Sequence, residues 1–259
     1  MLPKSWKPRN TVGLIRVGPR WDGGYVIPRI LLKKTKILFG LGVSDNWDFE
    51  EDFKNRSDCE VVCYDHTVNA KFWRRRFKKD LISFVFMKRL TPRKIANMFK
   101  YISYKRFFNG KKATHHKLMI GYDIPGAISI DGIMKTYKAK DVFFKIDIEG
   151  SEYRVIDQII KYHDSVLGFA IEFHDVDIHK DRITGFIAGF EGFVLVHIHA
   201  NNCGAQLDSS GDPLYLEMTF LRNDLIESDV VEKQNYPVED LDFPNSPKDD
   251  DIRLVFGPD

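Results

Sequence analysis

The chain has 259 residues, 43% of them hydrophobic, 13% aromatic and 29% charged, with a formal net charge of +2. This is the make-up of a globular protein, and the length suits one large core, a single α/β domain with extensions. No apolar run reaches the roughly 18 residues of a membrane span, and the opening MLPKSWKPRN lacks the apolar centre of a signal peptide, so a cytoplasmic location is the expectation.

Residues 1–35 read as an irregular extension whose salient piece is GPRWDGGYVIP. Asp22-Gly23-Gly24 is a strong turn signal, and Tyr25 starts a short strand. Lys36 to Leu41 reads as the first buried strand of the main domain, followed by a Gly42-Val43-Ser44-Asp45-Asn46 turn and a helix through DFEEDFKNR. Cys59 to Tyr64 is a second strand that ends at Asp65-His66-Thr67. A basic helix around residues 68–79 leads to an expected third strand, Leu81 to Met87.

Residues 91–117 read as a basic, aromatic, helical insertion, with His115-His116 in an exposed loop. Ser129 to Tyr137 is a short helix, Phe143 to Ile148 a fourth strand, and Ser151 to Tyr162 a helix with one apolar face and Ser151 as its cap. Val166 to Phe173, Phe193 to Ala200 and Pro213 to Arg222 are further strands, with a helix from Thr184 to Phe190 between the first two. Strand–helix alternation implies a parallel sheet with helices on both faces, and the last two strands, joined only by a loop, imply an antiparallel strand at one edge. The domain reading is therefore 1–35, 36–222 with the insertion at 91–117, and an acidic, loosely ordered tail at 223–259.

The small net charge hides a separation. From Lys71 to Lys117 there are sixteen Lys and Arg against one acid, whereas from Asp224 to Asp259 eleven acids face three basic residues. The middle segment suits an anionic partner, or docking of the tail, or is simply a solvated face. Cys59, Cys63 and Cys203 form no disulfide framework, because Cys59 and Cys63 sit about 13 Å apart along one strand; they read as buried thiols.

In an open parallel sheet, ligands bind outside the carboxyl ends of the strands. The polar residues there are Gly40, Gly42, Ser44 and Asp45 after the first strand, and Asp65 with His66 after the second. Asp147 and Glu149 follow the fourth, Glu172 and His174 the fifth, and His197, His199, Asn201 and Asn202 the sixth. The Gly40-Leu41-Gly42 turn with an acid about 20 residues on fits an adenosine cofactor, Asp65 gripping the ribose. Asp45 and Asn46 stand where a pyrophosphate needs an open helix N-terminus, so a cofactor without phosphates fits better. S-adenosylmethionine has a ribose, no phosphate and a positive sulfonium that carboxylates favour.

FGLGVSDNWDFEEDF, VVCYDHT, KIDIEGSEYRVI and IEFHDVD, in that order, resemble class I S-adenosylmethionine-dependent methyltransferases, most closely the FkbM-type group; the DGGYVI segment resembles a motif of its relatives. The resemblance covers residues 12–222. It implies a Rossmann-like, seven-stranded, mostly parallel sheet with the last strand reversed, and a cofactor site drawing on Asp22, Gly23 and Tyr25 as well as the strand-end residues. It implies O-methylation of a sugar or glycan-linked hydroxyl.

For such a transfer, His174 and His199 are candidate bases, with Asp147 and Glu172 beside them; His197 reads as a core residue. Asp147, Glu172 and His174 alternatively hold Mg or Mn. The bland reading of Glu149 is a core ion pair with Lys145. The second functional reading is an RNA methyltransferase or nucleic-acid binder using residues 71–117, and a third is a binding protein with a degenerate cofactor site.

Overall fold

The computed structural model describes residues 1–9, 11–86, 92–189, 192–203, 207–226 and 235–257. An N-terminal hairpin, β1 (Leu14–Val17) and β2 (Tyr25–Pro28), precedes helix α1 (Arg29–Lys34). The main sheet contains β3 (Ile37–Leu41), β4 (Glu60–Tyr64), β5 (Ala113–His116), β8 (Val142–Ile146), β9 (Val166–Phe173), β10 (Phe193–Ala200) and β11 (Leu216–Arg222). A two-residue pair, β6 (Met119–Ile120) with β7 (Ala127–Ile128), stands apart.

The main sheet runs in the order β10-β11-β9-β8-β3-β4-β5. Strands β5, β4, β3, β8 and β9 are mutually parallel, and β11 is antiparallel to both of its neighbours. This is the α/β sheet that the sequence implies, with one difference. The reversed strand lies between β9 and β10, not at the edge. The β10–β11 loop returns the chain beside β10, and β11 then fills the gap next to β9.

Helices cover both faces. On one side α5 (Ile130–Tyr137), α6 (Ile156–Ile160) and α7 (Val176–Ala188) pack on Phe144, Ile146, Phe169 and Ile171. On the other, α1, α2 (Asp48–Asn55), α3 (Ala70–Phe86) and α4 (Pro92–Phe107) join Phe143, Leu38 and Val61. Burial on both faces explains why β8 and β9 read as continuous apolar runs, since every residue in each is buried.

Several expected elements change. The third strand is Ala113–His116, whereas Leu81 to Phe86 continues α3; Met87 lies outside the described residues. His115 and His116 are therefore strand residues, half-buried, with His116 stacked on Tyr64. The helix after β8 breaks into a 3-10 turn and α6, and Ser151 makes no side-chain cap bond. Helix α7 starts eight residues earlier than Thr184, at Val176.

The tail is the largest change. Residues 235–257 pack on the sheet, with Tyr236 and Leu254 buried and Leu2 bridged to Phe256. Its acids account for this, because they find buried histidines. His197 Nε2 lies 2.9 Å from Asp242, and His199 Nε2 3.1 Å from Asp251. No helix among the described residues is long and apolar enough to cross a membrane.

Candidate active site

The carboxyl ends of β3, β4 and β8 frame a cleft with two lobes. One lobe, about 310 Å³, is walled by Asp65, His66, Thr67 and Leu118 to Ile120. The other, about 390 Å³, is walled by Asp22, Gly23, Asp45, Lys145, Glu172, His174 and Tyr215. Gly42, Ser44, Asp147 and Glu149 border both. The two lobes thus share four wall residues at the strand ends, where the sequence places most of its candidate residues.

The two glycines have a different role from the one expected. A Cβ on Gly40 would stand 2.7 Å from Oε1 of Glu50 and 3.1 Å from Sγ of Cys63, so packing inside the core requires this glycine. At Gly42, φ is 79° and a Cβ would lie 1.6 Å from the carbonyl oxygen of Asp147. Its missing side chain lets the ends of β3 and β8 touch.

Asp65 is more engaged than a free ribose ligand. Its Oδ1 accepts from the backbone N–H (2.7 Å) and hydroxyl (2.6 Å) of Thr67, and Oδ2 accepts from the Ser44 N–H at 2.6 Å. One acceptor position remains on Oδ2. Asp65 therefore ties the β3 loop to the β4 loop at the cleft wall, while His66 and Ser44 stand exposed beside it. Asp45 is ion-paired with Arg76 of α3.

Lys145 organises the other lobe. Its Nζ lies 3.0 Å from Asp147 Oδ2, 3.4 Å from the Gly42 carbonyl and 5.4 Å from the Tyr25 ring centroid. Burial works against its charge, but Asp147 and Glu50 outweigh it and raise its pKa, so it is a fixed cation. Glu149 does not pair with Lys145; its side chain is 87% exposed and reaches the histidine instead.

Glu172 is not free to act. It accepts from Asn201 Nδ2 at 2.8 Å and from the Tyr25 hydroxyl at 3.3 Å, and sits directly opposite Glu217 in the β9–β11 register. Burial, Asp147 and Glu217 push the pKa of its carboxyl well up, against the opposing pull of His174 and Lys145. Tyr25 thus supports the site from below, whereas Asp22 and Gly23 line it.

His174 is the central titratable group. Nε2 lies 3.6 Å from Glu149 Oε2 and 4.0 Å from Glu172 Oε1. Nδ1 lies 3.2 Å from Oε1 of Glu152, at ion-pairing distance but off the line of a hydrogen bond. Burial lowers the imidazole pKa, yet Glu152, Glu172 and Asp147 carry it up to about 9. At neutral pH His174 is therefore an imidazolium, where an unperturbed ring would titrate near neutrality.

His199 belongs elsewhere. It is buried, held between Glu217 (3.1 Å from Nδ1) and Asp251 (3.1 Å from Nε2), and its pKa is raised to about 10, with Asp251 and Glu217 overcoming the opposing effect of burial. It anchors the tail and is removed as a candidate base. The cation-ligand set also changes: Asp147, Glu149 and His174 bring one donor atom each within 4.8 Å of one another, without Glu172.

Glu152 was not among the candidates read from the sequence, and Lys145 was read only as a core partner for Glu149. The side chain of Glu152 is fully buried and accepts from the Ile148 N–H at 2.8 Å. Its signal was its position one residue after a Gly150-Ser151 turn, within reach of a neighbouring strand end. Lys145 carried a clearer signal, as the only charge within an otherwise apolar strand.

No protein-family model and no curated protein matches the chain. Among solved structures, it resembles an rRNA methylase from Streptococcus thermophilus, at 10% identity over 74% of this chain and 90% of that one, with a TM-score of 0.39. It also resembles a precorrin-6y C5,15-methyltransferase from Geobacter metallireducens, at 7% identity over 73% and 81% of the two chains, with a TM-score of 0.36. A third is a putative methyltransferase from Streptococcus mutans in complex with SAH, at 11% identity over 73% and 90%, with a TM-score of 0.35. Likeness this distant says nothing about what the chain binds.

Proposed function

We propose that the protein is an S-adenosylmethionine-dependent methyltransferase whose acceptor is an oxygen nucleophile placed beside His174. The observation that carries this reading is the two-lobed cleft joined at Gly42, Ser44, Asp147 and Glu149. The donor set fits a cationic cofactor without phosphates. Asp48, Glu50 and Glu51 occupy the first turn of α2, an arrangement that repels phosphate from that helix end. The carboxylates of Asp147 and Glu149 suit a positive centre.

S-adenosylmethionine supplies a methyl group on a sulfonium, which an attacking oxygen displaces to leave S-adenosylhomocysteine. The ribose would lie at the Asp65–His66 wall, with Oδ2 of Asp65 offering its remaining acceptor position. Lys145 fixes Asp147, so that carboxylate keeps its place at the junction. Nε2 of His174 faces the cleft carboxylates and, once deprotonated, takes the acceptor hydroxyl's proton. A neighbouring cation lowers the imidazole pKa towards the working range. Glu172, held by Asn201 and Tyr25, shapes the floor.

The divalent-cation variant is disfavoured by the same charges. A metal bonded to the His174 imidazole must displace its proton, which a sulfonium need not do. A glycan acceptor rests on the FkbM-type resemblance alone. Calorimetry with S-adenosylhomocysteine tests the cofactor, and transfer of a labelled methyl group with and without chelator tests the rest. Absence of cofactor binding removes the reading, whereas activity abolished by chelator and restored by Mg or Mn restores the metal variant.

A further inference from the structure

Beyond the cleft, α3, α4 and β5 enclose a groove of about 680 Å³ that the reaction does not use. Trp73, Tyr101 and Tyr104 form an aromatic cluster there, with Trp73 5.1 Å and 5.0 Å from the two tyrosine centroids. Tyr101 is 48% exposed, and Phe77 beside it 67% exposed. Arg74, Lys78, Lys105 and Lys117 surround these rings, and no carboxylate lines the groove among the described residues. Exposed rings amid these cations form a surface that suits a polyanion carrying flat groups, whereas an acidic protein face would match the cations and leave the rings without stacking partners.

The groove is coupled to the cleft at two points. Arg76, on its wall, pairs with Asp45 of the cleft. At its floor the Tyr104 hydroxyl lies 2.6 Å from His115 Nδ1, and His115 Nε2 lies 3.1 Å from the Asp65 carbonyl oxygen. A carbonyl only accepts, so Nε2 carries the proton and Nδ1 accepts from Tyr104. Burial, which lowers the His115 pKa, keeps the ring in that neutral form.

We infer that this groove binds a single-stranded RNA and that the strand running out of it presents the methyl acceptor to the cleft. The inference rests on the methyltransferase reading only for the second clause. Ring faces at the groove wall stack bases, and the flanking cations follow the phosphates. A sulfated or phosphorylated glycan satisfies the cations but has no flat bases for the rings. Charge complementarity together with the stacking faces therefore selects the polynucleotide.

The test is fluorescence anisotropy with a labelled 12-nucleotide oligouridylate across a salt series, using the full chain. Four cations engaging four phosphates give a slope of log K against log[salt] of about −2.8. Lys105→Ala with Lys117→Ala flattens that slope by about 1.4. Tyr101→Ala weakens binding about tenfold at every salt concentration and leaves the slope unchanged. Competition by a sulfated oligosaccharide as effective as RNA, with no Tyr101→Ala effect, overturns the inference in favour of a glycan site. No RNA binding at low salt overturns it outright.

Calorimetry with S-adenosylhomocysteine on the same samples separates the two readings. Cofactor binding without RNA binding removes the groove assignment alone. RNA binding without cofactor binding leaves the groove and removes the methyl transfer.

Discussion

Nδ1 of His174 lies 3.2 Å from Oε1 of Glu152, a carboxylate whose side chain is fully buried. The contact is an ion pair that places a buried charge behind the imidazole, with Nε2 left to face the cleft. It also explains why the imidazole pKa stands at about 9, although burial alone would lower it.

The activity should therefore climb with pH and level off below the value of about 9 that the ring has without the cationic cofactor, because only the deprotonated ring accepts a proton. Glu152→Gln removes one of the charges that raise the pKa, so the rising limb should move to lower pH. His174→Ala should reduce kcat about 10²–10⁴-fold while cofactor binding persists. Rate profiles of the three proteins, with an NMR titration of His174, check this. An unmoved limb in Glu152→Gln would separate Glu152 from the base.

Asp65 makes a second forecast. It ties Ser44 and Thr67 before any ligand arrives, so Asp65→Ala should loosen both loops as well as the ribose site. Charge-assisted hydrogen bonds contribute about 1.5–3 kcal/mol each, so S-adenosylhomocysteine affinity should fall roughly ten- to a hundredfold. Thr67→Ala, which removes only a loop tie, should cost less. Equal calorimetric affinity in wild type and Asp65→Ala would place the ribose elsewhere.

The glycines give a stability forecast. Gly42→Ala meets a backbone carbonyl at 1.6 Å in a left-handed conformation, and should destabilise the fold by on the order of 3 kcal/mol. Gly40→Ala meets side-chain rather than backbone atoms, those of Glu50 and Cys63, so a smaller cost of about 1–3 kcal/mol is expected. Urea midpoints for both variants decide the order, and a milder Gly42→Ala would contradict the strand-end contact.

Most of the sheet was legible because its strands are apolar on both faces and end in glycine or acid. Leu81 to Met87 misled because an apolar run of that length suits a helix as well as a strand. The reversed strand's place could not be read, since adjacency in sequence does not fix which neighbour a strand joins. Within the site, Asp147 and His174 were visible as polar residues at strand ends. Glu172 and His199 carried the same signal, yet the register set Glu172 against Glu217 and the tail buried His199. Such long-range partners leave no local trace.

The last prediction concerns that tail. His199 has a pKa of about 10 in the folded chain against 6.5 for the free side chain, with burial opposing and Asp251 and Glu217 supporting its charge. A raised folded value means that its stabilisation is complete below pH 6.5 and is lost as pH rises through about 10. Asp242 moves the opposite way: burial raises its pKa, but His197 and His199 bring it below 3.8. Its contribution is present above 3.8 and fades as pH falls further.

The tail should thus hold tightest between pH 3.8 and 6.5 and loosen first on the alkaline side. His199→Ala leaves Glu217 and Asp251 without their cation, a loss of about 3–5 kcal/mol for a buried pair. Limited proteolysis across pH should show residues 235–257 cut earlier above pH 10 in wild type, and already at neutral pH in His199→Ala. Glu217→Gln with Asp251→Asn should bring the alkaline onset down, because the histidine then loses the charges that hold its proton. Protection of the tail that is indifferent to pH and to both variants would mean that its apolar anchors, Tyr236 and Leu254, hold it without the ion pairs.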